Sequence, residues 1–131
     1  MAKRILLIDD DQEEADIFKD AVKEADHDAI FHYVNNCVKA IKQLKERILP
    51  IPNLIFIDIN MPFMNGLDCL KELKGTEGLR RIPIVIYSTS ERPDDAQAAI
   101  HLGAMAFLTK PNKYSDLLKK LKDLIHSVLF E

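Results

Sequence analysis

Residues 4–11 read Arg4-Ile5-Leu6-Leu7-Ile8-Asp9-Asp10-Asp11, an aliphatic run that passes straight into three aspartates. A short run that is apolar at every position, rather than at alternate ones, suits a strand covered on both faces. The aspartates behind it repel one another and resist burial, so crowding them at a strand end requires something that compensates their charge.

Working outward, the same kind of run recurs along the chain. Strands are expected at Arg4–Ile8, Ala29–Val34, Leu54–Ile57, Ile84–Tyr87 and Ala106–Thr109. The stretches between them have helical period. Ala15, Phe18, Val22 and Ala25 form one apolar stripe, and Val38, Ile41, Leu44 and Ile48 a second. Leu67, Leu70 and Leu73 lie between Gly66 and Gly75; Ala96, Ala99 and Ile100 follow Pro93 and are closed by Gly103. Leu117, Leu118, Leu121, Leu124, Ile125 and Val128 give the clearest stripe. Parallel strands need crossover connections, so this alternation implies an α/β domain with a parallel sheet and helices on both faces. The loop-like stretches "LPIPN" and "KGTEGLRRIP" are ordinary connections within one domain. A single domain over residues 1–131, with no output domain, is therefore expected.

Composition narrows the function classes. The chain carries 18 basic and 21 acidic side chains for a net charge of −3, so no positive field recommends nucleic acid as a partner. No apolar run approaches the ~20 residues of a membrane span, and "ILLI" after "MAKR" is too short for a signal-peptide core. A cytoplasmic location without membrane attachment is the expectation. Cys37 and Cys69 lack metal-ligand spacing and are expected to be reduced, small, semi-buried residues. His27, His32, His101 and His126 share no motif and are assigned structural or surface roles.

In an open parallel sheet, ligands bind outside the carboxyl ends of the strands. The residues just past each run are Asp9 and Asp10, then Asp58, then Ser88, then Thr109, Lys110 and Pro111. Clustered carboxylates without histidine or thiolate suit a hard cation such as Mg²⁺, which keeps several waters and leaves room for a phosphoryl oxygen. A carboxylate can itself be a nucleophile and form an aspartyl phosphate. Lys110 and Ser88 offer the positive charge and the donor that phosphoryl oxygens need. Asp11, beside Gln12, Glu13 and Glu14, is expected at a helix N-terminus rather than on the metal.

With these residues in view, the chain resembles the receiver domain of two-component response regulators. The resemblance rests on "LLIDDD", "LIFIDINMPFMNGLDCLKELK", "IPIVIYSTSE" and "GAMAFLTKP", in that order, and covers essentially the whole chain. It implies a flavodoxin-like (βα)5 fold with strand order 2-1-3-4-5 and a stand-alone regulator of the chemotaxis type. By the same resemblance Asp58 is the phospho-acceptor, and Asp9, Asp10, Asp58 and the backbone carbonyl of Asn60 hold Mg²⁺, for which Mn²⁺ could substitute. Asp10 binds the ion directly and Asp9 largely through water. Ser88 and Lys110 bind the phosphoryl group, and Lys110–Pro111 is expected to be cis. Phe107 stands at the aromatic switch position, as Phe rather than Tyr, so it brings no hydroxyl. Asn60 and Ser90 match the positions that tune dephosphorylation.

The partners implied are a histidine kinase, with a phytochrome-type kinase suggested by "LRRIPIVIYSTS", and a downstream protein or second copy on the face of helix four, strand five and helix five. Lys113, Lys119, Lys120 and Lys122 give that last helix a basic flank. The role is a switch rather than an enzyme that turns over a small substrate. Two alternatives stand beside it. One is a receiver-like scaffold independent of phosphorylation. The other is a flavin-binding electron carrier, which is disfavoured because "DDDQEE" occupies the place where FMN phosphate would need a Ser/Thr/Gly loop.

Overall fold

The structure is a computed structural model that describes residues 2–129. Its elements alternate strictly: β1 Arg4–Ile8, α1 Gln12–Ala25, β2 Ile30–Val34, α2 Cys37–Lys45, β3 Leu54–Ile57, α3 Gly66–Lys74, β4 Ile84–Ser88, α4 Pro93–His101, β5 Ala106–Thr109 and α5 Tyr114–Leu129. The strands form one sheet in the order β2-β1-β3-β4-β5, all pairs parallel. This is the α/β, flavodoxin-like order expected. Ala29 falls just before β2, and β4 runs one residue further than anticipated, which makes Ser88 its last residue.

Each central strand divides its side chains between two apolar layers. Leu6, Ile8, Ile55, Ile57, Ile84 and Ile86 pack with α2, α3 and α4. Ile5, Leu7, Leu54, Phe56, Val85 and Tyr87 pack with α1 and α5. Phe18 of α1 is wedged edge-on against Phe56 and Tyr87, with ring centroids 4.9 and 5.2 Å apart. Burial on both faces is why these strands carry no polar alternation.

Helix starts are set by side chains that satisfy orphan N–H groups. Asp11 caps α1, accepting from the backbone N–H of Glu13 and Glu14; Asn36 caps α2 and Asn65 caps α3. Asp11 is thus used at the helix terminus, as expected.

Three expectations are corrected. The buried face of α2 is Cys37, Ala40, Ile41 and Leu44, so Ile41 and Leu44 pack inward as expected, whereas Val38 is 56 % exposed and Ile48, beyond the end of the helix, is 66 % exposed. Cys37 and Cys69 are not free thiols but a disulfide. The strand order sets α2 and α3 side by side on one sheet face and brings the two Cα atoms to 5.9 Å, within bonding range. Finally, no cis peptide occurs among the described residues, so Lys110–Pro111 is trans, the form X–Pro bonds generally favour.

Candidate functional site

The carboxyl ends of β1, β3, β4 and β5 converge, and backbone hydrogen bonds fix the residues that leave them. The Asp9 N–H donates to Val34 O at 3.2 Å, Asp58 N–H to Ile8 O at 3.0 Å, and Lys110 N–H to Ser88 O at 2.7 Å. Each site residue is therefore tied to a neighbouring strand before its side chain is considered.

Asp9 is fully buried and Asp58 is 6 % exposed, while Asp10 faces solvent. One carboxylate oxygen from each of Asp9, Asp10 and Asp58 lies within 4.8 Å of the others. Asp9 Oδ1 accepts from the Asp11 N–H at 2.9 Å, but Asp9 Oδ2 is buried without a hydrogen-bond partner. Such an orphan is expensive unless a ligand meets it. Oxygen donors alone, close together, with one buried oxygen that has no hydrogen bond, fit a hard divalent cation.

Lys110 supplies the counter-charge. Its Nζ lies 3.3 Å from Asp58 Oδ1, 3.5 Å from Asp9 Oδ2 and 2.6 Å from Glu14 Oε2, and stands 5.1 Å from the Tyr87 ring centroid. Burial pushes Asp9 up to about 7, offset in part by its Asp11 hydrogen bond and Lys110 and reinforced by Asp58. Burial also raises Asp58, against the opposing pull of Lys110. For Lys110 burial acts downward, but the hydrogen bond to Glu14 and the Asp58 and Asp9 carboxylates outweigh it, so the ammonium is held above its usual range. Burial brings Tyr87 to about 12, so its ring stays neutral beneath the ammonium.

Ser88 is fully buried at the end of β4, and its Oγ accepts from the Ser90 N–H at 3.1 Å. Ser90 Oγ donates to Asp95 Oδ2 at 2.5 Å and accepts from the Arg92 N–H, which pins the loop to the start of α4. Asn60 is exposed on the loop after β3. Phe107 is half-buried, packed against the layer that includes Ile86 and Ala99. Asp9, Asp10, Asp58 and Lys110 thus meet in space, with Ser88 on the adjacent strand end. Glu14 and Tyr87 went unread in the sequence. The acidic stretch from Asp11 to Glu14 signalled a helix start, and nothing local signalled a contact between Glu14 and Lys110.

Response regulator Rcp1 of Synechocystis sp. is 32 % identical over 126 residues, covering 93 % of this chain and 86 % of that protein. Among solved structures, the phosphorylated cyanobacterial phytochrome response regulator RcpA superposes with a TM-score of 0.89 at 26 % identity, covering 98 % of this chain and 95 % of that one. The Mn²⁺-bound form of Rcp1 superposes with a TM-score of 0.82 at 30 % identity, covering 93 % and 91 %. The family model described as the response regulator receiver domain matches residues 5–122. Four strand ends, one acidic rim and this match agree: the chain belongs to the response regulator receiver domain family.

Proposed function

We propose that this chain acts as a two-component signalling switch through its receiver domain, with Asp58 as the residue that takes up the phosphoryl group. The observation that carries the reading is the meeting of Asp9, Asp10, Asp58 and Lys110, which arrive from β1, β3 and β5, in one pocket at the sheet rim.

An Asp58 carboxylate oxygen attacks the phosphorus of a phosphohistidine on the donor kinase. The new O–P bond forms as the P–N bond breaks, and that electron pair returns to the donor's imidazole. Lys110, already 3.3 Å from Asp58, donates to a phosphoryl oxygen and offsets the charge that arrives. Ser88 offers its hydroxyl proton to a second oxygen while its Oγ still accepts from the Ser90 N–H, so a shift of Ser88 toward the phosphoryl group carries with it the loop that Ser90 ties to α4. Asp9, Asp10, Asp58 and the Asn60 carbonyl would hold Mg²⁺, or Mn²⁺ in its place, whose charge, when bound, stabilises the phosphoryl oxygens. Asn60 and Ser90, at the positions that tune dephosphorylation in the family, would govern the approach of water to the phosphoryl group.

Movement of the Ser88–Ser90 loop biases α4, β5 and α5 between two populations, with Phe107 turning in the apolar layer it already touches. That face is the proposed contact with a downstream protein or a second copy. The donor is proposed to be a phytochrome-type histidine kinase, supported by the likeness to Rcp1 and RcpA. Because such kinases draw on ATP, the place of action is the cytoplasm. No helix among the described residues is long and apolar enough to cross a membrane.

Acetyl phosphate with Mg²⁺ tests the reading. Intact-mass analysis is expected to show the gain of one phosphoryl group, which Asp58→Asn abolishes. Absence of that gain with Mg²⁺ present would leave a phosphorylation-independent scaffold as the better account.

A further inference from the structure

The D-x-x-E pattern of Asp11 and Glu14 has an ordinary explanation, the capping box, in which the N3 acid reaches back to the N-cap N–H. In this chain that N–H is taken, because Asp11 N–H donates to Asp9 Oδ1 at 2.9 Å. Asp11 still caps α1 with its own carboxylate. The Glu14 carboxylate is thereby released, and it accepts from Lys110 Nζ at 2.6 Å across 96 residues of sequence. This is the shortest of the three carboxylate contacts that Lys110 makes. Glu14 is also the most solvated of those partners, and it lines a groove with Ile17, Tyr87, Lys110 and Pro111.

A lone ammonium placed among buried carboxylates should move to the least hydrated ones, where its charge is worth most. Here it is drawn outward, toward the groove. The Asp9 oxygen nearest to it is left without a hydrogen bond, 3.5 Å away. We propose that Glu14 is a positioning residue that draws the Lys110 ammonium toward the outer side of its ion pairs with Asp58 and Asp9, weakening its competition with a divalent cation for those two carboxylates and restraining Lys110 from the phosphoryl group. The inference rests on Asp58 being the acceptor.

Two consequences of opposite sign follow. Without the Glu14 charge, Lys110 tightens its existing ion pairs with Asp58 and Asp9 and competes more strongly with the cation. Once the cation is saturating, the same freed lysine binds a phosphoryl group more tightly, and a repelling carboxylate is gone. Mg²⁺ alone and then beryllofluoride at saturating Mg²⁺ are titrated against the wild type, Glu14→Gln and Glu14→Asp, with amide NMR shifts around residue 58 as the readout. Glu14→Gln is expected to weaken Mg²⁺ by about five-fold and to tighten beryllofluoride by about five-fold. Glu14→Asp, one methylene shorter, should fall between. A merely structural role would move both affinities the same way. Parallel changes, or none in either, overturn the proposal. If wild-type protein takes up no beryllofluoride with Mg²⁺ present, the acceptor assignment itself fails, a result distinct from a wild type that binds and a variant that matches it.

Discussion

A Cβ placed on Gly66 would lie 2.3 Å from the carbonyl oxygen of Asp58. The first residue of α3 is therefore pressed against the backbone of the proposed acceptor, and the Gly66 N–H closes the loop by donating to Ile59 O at 2.8 Å. Both neighbours are main chain, so neither can turn aside as a side-chain tip could. Gly66→Ala is expected to destabilise the fold by about 2–3 kcal/mol, in the range of buried overpacking. It should also displace Asp58, so chemical denaturation and acetyl phosphate labelling are measured together. Unchanged labelling and stability would show that the loop yields freely.

Ser88 tests the link from acceptor to loop. Its buried hydroxyl accepts from the Ser90 N–H, so Ser88→Ala should destabilise the protein by about 1 kcal/mol by orphaning that donor. Labelling of Asp58 should persist, since its carboxylate and Lys110 are untouched. What should vanish is the phosphorylation-dependent NMR shift at Ser90, Asp95 and Phe107. A full shift in Ser88→Ala would mean the hydroxyl is not the relay.

Much of this arrangement was legible because topology does the work. Once β1, β3, β4 and β5 were recognised as buried parallel strands, Asp9, Asp58, Ser88 and Lys110 had to meet at one rim, whatever their spacing. What stayed hidden depends on contacts that no local pattern encodes. Glu14 reaches Lys110 only because another side chain occupies the N-cap N–H. The Cys37–Cys69 bridge depends on two helices lying side by side. At the start of α2, Val38 fits a helical period with Ile41 and Leu44 as well as Cys37 does, and only the packed sheet chooses Cys37 for the interior.

Asp11 separates capping from metal binding. One oxygen of its carboxylate, Oδ1, accepts from the N–H of both Glu13 and Glu14, at 3.0 and 3.2 Å, which commits that oxygen to the helix end. Asp11→Ala should lose about 1 kcal/mol of stability, and Asp11→Asn much less, since an amide oxygen caps as well. Mg²⁺ affinity in Asp11→Asn should stay within about two-fold of the wild type, the small effect of a solvent-screened charge that does not touch the ion. A ten-fold loss would make Asp11 a ligand.

The disulfide joins residues 32 apart. Closing a loop of that size removes freedom from the unfolded chain worth about 3–4 kcal/mol in the loop-entropy account. Reduction with a phosphine, or Cys37→Ser with Cys69→Ser, should lower the denaturation midpoint without changing the far-UV spectrum. The bridge ties α2 to α3 rather than to the rim, so acetyl phosphate labelling of Asp58 should survive reduction. Equal midpoints for oxidised and reduced protein would show that the bridge adds no stability.

Metal-free protein should lose stability as pH rises through neutrality. In the unfolded chain Asp9 titrates near its ordinary 3.8, whereas burial holds it near 7 in the fold. Between those values the folded state keeps a proton that the unfolded state has released, so stability falls with rising pH and levels off above about 7. Asp58, raised by the same cause, adds a slope of the same sign. Lys110 does not enter this window, because its shift upward acts only in strongly alkaline solution. Thermal unfolding in chelator, from about pH 5.5 to 8, should show a declining midpoint. In Asp9→Asn, where the group no longer ionises, the decline should be shallower. Mg²⁺ should raise the wild-type midpoint more at the alkaline end, where the carboxylates are ionised and ready to receive it. A wild-type slope equal to that of Asp9→Asn would mean that Asp9 is already ionised in the folded protein across this range.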